Sequence, residues 1–155
     1  NFWKNGWTVI RSRQRLLSVK LRKDMDLHGL HVLLAEDNDL NAEIAVSLLE
    51  EQGMIVTRAA DGKSALIQFC NTAPGTFDLI LMDIMMPEMN GYETTKAIRN
   101  LSDRPEGKEI PIIAMTANAF AEDVQAALDA GMDDHVAKPM DMDILISAIE
   151  KCVRR

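Results

Sequence analysis

A chain of 155 residues, 47% hydrophobic and 26% charged, is long enough to bury a substantial core as one globular domain without disulfide or metal staples. No run approaches the ~18 apolar residues of a membrane span, no secretory leader is evident, and Cys70 and Cys152 lack metal-ligand spacing and read as ordinary thiols of a reducing compartment. The net charge of −7 hides a division: residues 1–23 hold seven basic side chains and no acidic ones, and the rest of the chain holds 10 basic against 24 acidic, which argues against nucleic-acid binding by the main body.

That break in charge divides the chain into a basic N-terminal segment, residues 1–29, and a domain spanning residues 30–155. Within the basic segment Trp3, Trp7, Ile10, Gln14, Leu17 and Leu21 recur every three or four residues, as along one seam of a helix. Three readings stand: a connector, a helix that pairs two copies into a homodimer, and a basic face lying on anionic lipid. The sequence does not begin with Met and reads as a piece of a longer protein. With no span, no leader and reduced thiols, the expected location is the cytoplasm, with membrane contact only through a parent protein.

From Leu30 a regular alternation begins. His31–Ala35 is an apolar strand that stops at Glu36 and Asp37. Asn38 or Asp39 then caps a helix with a predicted buried stripe of Leu40, Ile44 and Leu48, ending near Gly53. A weaker edge strand over Ile55–Ala59 leads through Asp61-Gly62 to a helix bearing Ala65, Leu66 and Phe69, broken at residues 71–75. The next run, Leu79-Ile80-Leu81-Met82, is short, wholly apolar and ends on Asp83, as expected of a strand buried on both faces. A helix bearing Tyr92, Thr95, Ile98 and Leu101 follows Gly91, and residues 102–109 read as a loop. A strand over Ile110–Met115 stops at Thr116. Asn118 is expected to cap a helix with Phe120, Val124 and Leu128 inward, closed by Gly131. Last come a short strand, Asp134–Ala137, ending at Lys138-Pro139, and a helix capped by Asp141 with Leu145, Ile149 and Cys152 inward. This βα alternation, repeated five times, predicts an α/β fold with a five-stranded parallel sheet and helices on both faces.

In a parallel sheet all strand ends of one sense lie at one edge, the edge where ligands bind. The alternation thus gathers Glu36, Asp37, Asp83, Thr116 and Lys138 there. Three close carboxylates repel unless a cation lies among them. A donor set of oxygens without His or Cys points to Mg²⁺, with Mn²⁺ suiting the same donors. With an ammonium and a hydroxyl added, the group suits a transferred phosphoryl. Asp83 is the carboxylate best placed to attack, giving an aspartyl phosphate.

The segments LLAEDN, LMDIMMPEMNG, IIAMTA and VAKP resemble, in order and spacing, the receiver (response-regulator) domain of two-component signalling, with wording most like receivers of hybrid sensor histidine kinases. The resemblance covers roughly residues 30–153 and implies a flavodoxin-like, doubly wound fold. It implies that Asp83 takes phosphoryl from a partner histidine kinase or histidine phosphotransfer domain. It implies Mg²⁺ held by Asp37, Asp83 and the carbonyl of Met85, with Glu36 acting largely through water. It implies that Lys138 pairs with the phosphoryl group and that the bond to Pro139 is cis. Thr116 would swing toward the phosphate, small Ala117 would leave it room, and the output surface would be the face of the fourth helix, fifth strand and fifth helix. Met85 and Asn118, flanking the site, imply an acyl phosphate of moderate to long life.

One position departs from the family pattern. The switch aromatic three residues before the lysine is His135, which either makes the coupling pH-sensitive or simply packs at a strand end. His28 and His31 carry no partner motif, and the methionines read as core and loop filler. Two other functions compete with the switch. A Mg²⁺ phosphatase of the haloacid dehalogenase type would carry its nucleophile in a D-x-D-x-T stretch after the first strand, which Asp83-Ile84-Met85 does not match. A pseudo-receiver binding module would not need all five of Glu36, Asp37, Asp83, Thr116 and Lys138.

Overall fold

A computed structural model describes residues 27–117 and 120–153. The predicted helical seam of residues 1–23 and the predicted cap Asn118 lie outside those residues.

Five strands, β1 (His31–Ala35), β2 (Ile55–Ala59), β3 (Leu79–Asp83), β4 (Ile112–Thr116) and β5 (Asp134–Ala137), pair in parallel in the order β2-β1-β3-β4-β5. The helices between them are α1 (Asp39–Glu51), α2 (Gly62–Asn71), α3 (Gly91–Arg99), α4 (Ala121–Ala130) and α5 (Met142–Val153). Strand side chains alternate between two cores. Val32, Leu34, Leu79, Leu81, Ile113 and Met115 pack under α1 and α5 with Leu49, Leu145 and Ile149. Leu33, Ile80, Met82, Ile112 and Ala114 pack under α2, α3 and α4 with Phe69, Ile98 and Ala127. The chain crosses from one side of β1 to the other between β2 and β3, which opens the ligand crevice at the carboxyl ends of β1 and β3.

The predicted strands of β1, β2, β3 and β5 stand, and β2 is an edge strand. β4 begins two residues later than expected, because Pro111 has no amide hydrogen for the ladder and the Ile110 amide bonds back to Glu106 O at 2.9 Å. The predicted loop over residues 102–109 contains a 3₁₀ turn, Pro105–Lys108. Arg104, just before it, is buried. It donates to the carbonyls of Cys70 and Thr72 at 2.7 and 2.8 Å, pairs with Glu106 and stacks over Phe69.

Two helices turn a different face to the sheet than their bulkiest residues suggest. In α1 Leu40 and Ile44 are 65% and 51% exposed, Leu48 is half-buried, and Ala42, Ala45 and Leu49 are buried. In α4 Ala127 and Ala130 face inward, Val124 is half-buried, and Leu128 and Phe120 are exposed. Small residues bring these helices close to the sheet, and the larger apolar side chains rotate outward. Helix α4 starts at Ala121 with Phe120 in the capping position and no side-chain cap.

The helix after β3 has a firmer start than expected. Asn90 accepts from the Glu93 amide at 2.9 Å and the Glu93 carboxylate accepts from the Asn90 amide, a reciprocal cap. Asn90→Ala is expected to lower the unfolding free energy by about 1 kcal/mol, measured by urea denaturation.

Candidate functional site

Four strand ends bring polar side chains to one edge. β1 and β3 run into buried Glu36 and Asp83, exposed Asp37 follows Glu36, β4 ends in buried Thr116, and Lys138 follows β5. The backbone fixes these positions tightly: the Glu36 amide donates to Ala59 O at 3.1 Å, and the Lys138 amide donates to Thr116 O at 2.8 Å. Charged groups so deeply placed require partners. The Lys138 ammonium bridges Glu36 Oε2 at 3.0 Å and Asp83 Oδ2 at 3.1 Å. Asn41, in the first turn of α1, donates to Glu36 Oε1 at 3.3 Å, and the Met85 amide donates to Asp83 Oδ1 at 3.2 Å.

One carboxylate oxygen each from Glu36, Asp37 and Asp83 lies within 4.8 Å of the others. Three carboxylates against one ammonium leave the group short of positive charge. Burial, and then the charge of Glu36, push the Asp83 carboxyl up to about 6 against the pull of Lys138. Burial also works against the charge of Lys138, but its bonds to Glu36 and Asp83 outweigh this and raise its pKa. An all-oxygen donor set with excess negative charge fits a hard divalent cation in the Mg²⁺ class.

Short backbone bonds and one left-handed residue shape the turn after Asp83. Glu88 adopts a left-handed conformation with φ of 65°, which a non-glycine residue seldom does. The Met89 amide closes on Pro87 O at 2.7 Å and the Gly91 amide on Ile84 O at 2.9 Å. The Met85 side chain is 74% exposed. The Lys138–Pro139 peptide is cis, and Ala117 is exposed beside Thr116.

His135 lies on β5 opposite Ala114, two residues back from the Ala137–Thr116 pair and on the same face of the sheet. Its Nδ1 is 3.7 Å from Asp134 Oδ1. His31 lies at the opposite edge, bonded to Thr57 Oγ1 at 2.8 Å and packed on Phe77, and His28 lies against Gly53. Neither belongs to the site. Asn41 and Arg58, which reach Glu36 from α1 and β2, carried no motif that could have marked them.

A cavity of about 350 Å³ opens beside the cluster. Glu36 and Lys138 form its polar wall, and Ile44, Met115, Pro139 and Met140 line the rest.

The aerobic respiration control sensor protein ArcB of Escherichia coli (strain K12) is 42% identical over 129 residues, a match covering 83% of this chain and 16% of that protein. Other curated relatives are also far longer than the stretch they share, which makes up 7 to 14% of their length. Among solved structures, the receiver domain of sensor histidine kinase PA1611 from Pseudomonas aeruginosa PAO1, with a magnesium ion coordinated in its active site cleft, is 35% identical. It superposes with a TM-score of 0.72 over 82% of this chain and 99% of that one. The receiver domain of Ssk1, solved in complex with the histidine phosphotransfer protein Ypd1 of Saccharomyces cerevisiae, is 28% identical with a TM-score of 0.69, covering 81% of this chain and 89% of that one. The family model of the response regulator receiver domain matches residues 32–150, and this chain belongs to that family.

Proposed function

We propose that Asp83 is the phosphoacceptor of this receiver domain, taking its phosphoryl group from a phosphohistidine on a histidine kinase or histidine phosphotransfer domain. The observation that carries this reading is the Lys138 ammonium held 3.0 and 3.1 Å from Glu36 and Asp83, within reach of a group bonded to Asp83. A carboxylate oxygen of Asp83 attacks phosphorus as the phosphorus–nitrogen bond breaks, and the bonding pair returns to the imidazole, which takes a proton from solvent. Glu36, Asp37, Asp83 and the Met85 carbonyl would hold Mg²⁺, with Mn²⁺ fitting the same donors; when bound, the cation neutralises charge on the carboxylates and the phosphoryl oxygens. Lys138 offers its ammonium to the phosphoryl oxygens. Thr116 offers its hydroxyl, Ala117 leaves the group room, and His135 packs on the same sheet face as Thr116. With Mg²⁺ and acetyl phosphate, intact-mass measurement is expected to show one added phosphoryl group that Asp83→Asn abolishes. No adduct, or an adduct that persists in Asp83→Asn, contradicts the assignment.

The donor approaches, in this reading, over α1. The exposed pair Leu40 and Ile44 stands one helical turn apart, and Ile44 lines the cavity that Glu36 and Lys138 wall. An apolar helix face of the histidine-bearing partner covers it, as a docking surface continuous with the reacting carboxylate. Ile44→Gln is expected to slow transfer from phosphorylated Ypd1 about tenfold, leaving phosphorylation by acetyl phosphate nearly unchanged. Equal slowing with both donors would place Ile44 in the chemistry instead. In this reading the chain is the receiver segment of a longer sensor kinase and works on the cytoplasmic side. No described helix is long and apolar enough to cross a membrane.

A further inference from the structure

Arg58 stands on the edge strand β2, paired with Leu34, and its side chain reaches past the end of β1. Its Nε and Nη2 donate to the single carbonyl oxygen of Glu36 at 3.1 and 2.9 Å, and its Nη1 meets Asp39 Oδ1 at 2.8 Å. One planar guanidinium thus ties both ends of the acidic turn that carries Glu36 and Asp37 into α1. A lysine cannot do this, because its ammonium offers no fork. The Arg58 carbonyl is itself held by Gln68 Nε2 at 3.1 Å.

Glu36, Asp37 and Asp83 repel one another, and the turn between β1 and α1 has to resist that repulsion to keep its oxygens converged. We infer that Arg58 is a positioning residue for the cation site, acting through the main chain of Glu36 and not by touching the ion. Its side chain is 28% exposed, against 93% for Asp39. The exposed pair with Asp39 is the weaker half of the clamp, and the two bonds to the carbonyl are the firmer half. This inference rests on the reading that the turn binds Mg²⁺.

The sign of the effect separates positioning from simple electrostatics. By charge alone, removing a cation beside a cation site tightens Mg²⁺ binding. Loss of a clamp loosens it, as does loss of other partners that orient ligands from behind. The test is calorimetric titration of the chain with Mg²⁺, with thermal melts of the metal-free forms run beside it. Arg58→Met is expected to raise the Mg²⁺ Kd about three- to tenfold, and Arg58→Lys to fall between it and the parent. Phosphorylation by acetyl phosphate should slow at limiting Mg²⁺ and recover at saturation. An unchanged or lower Kd in Arg58→Met overturns the clamp. Should that variant not fold, an unchanged Kd in Arg58→Lys overturns it instead. Absence of Mg²⁺ binding by the parent chain overturns the cation reading itself, and this inference with it.

Discussion

Asp83→Asn is expected to stabilise the metal-free domain by about 1–3 kcal/mol near neutral pH, while abolishing phosphorylation. Asp83 as a residue is only 3% exposed, and burial raises its pKa from 3.8 to about 6. A folded-state value above the unfolded one means that the folded protein binds this proton more tightly. The group's contribution to stability is therefore fully present below about 3.8 and lost as pH rises through about 6. Near neutrality the buried charge opposes folding, and a neutral amide of the same shape removes that opposition. The gain is limited because Lys138 then keeps only Glu36 as a carboxylate partner. Guanidinium denaturation in a chelator should show the variant more stable than the parent, with the gap narrowing toward acid pH. In excess Mg²⁺ the order should reverse, because a cation bound only by the folded parent adds about 4.1 kcal/mol at about a thousandfold excess over Kd. A variant less stable than the parent in chelator contradicts this account of Asp83.

Gly91→Ala is expected to cost about 2–4 kcal/mol and to lower Tm by on the order of 10 °C. Gly91 opens α3, where alanine would be the better helix former by about 1 kcal/mol. A methyl group there, however, would overlap Asp83 O and lie 2.9 Å from Ile84 Cα. Both are backbone atoms at the end of a central strand, so no side chain can rotate away. Relief requires α3 or the Asp83 turn to shift, which also moves the carboxylate that the site depends on. Thermal unfolding together with the acetyl phosphate rate checks both consequences. A variant of parental stability would show that the turn has room the structure does not display.

The strand ends were legible because β3 is a short apolar run broken by one carboxylate, and because strict alternation puts every such end at one edge. The faces of α1 and α4 were not, since hydrophobicity marks Leu40, Ile44 and Leu128 as core while the close approach to the sheet admits Ala45 and Ala127 instead. The outward turn of Leu40 and Ile44 leaves an apolar surface that the other described residues do not cover, and Ile44 lines the cavity beside Glu36 and Lys138. Arg58, Asn41 and Arg104 carry no sequence signal for another reason. Two of them bond to carbonyls and the third to a carboxylate five residues away, and such bonds leave no period or motif in the sequence. Glu88, in its left-handed conformation, stood where glycine or asparagine would have signalled the turn.

The proposed transfer requires one oxygen of Asp83 to accept phosphorus. The direct measurement is to mix the chain with Ypd1 carrying phosphohistidine in the presence of Mg²⁺, reduce the products with borohydride, and map the modified residue by peptide mass spectrometry. The account predicts that the phosphoryl group leaves the histidine and that residue 83 alone is recovered as the reduced alcohol. Phosphoryl recovered on another residue, or retained by the donor while acetyl phosphate also fails to modify the chain, would contradict it.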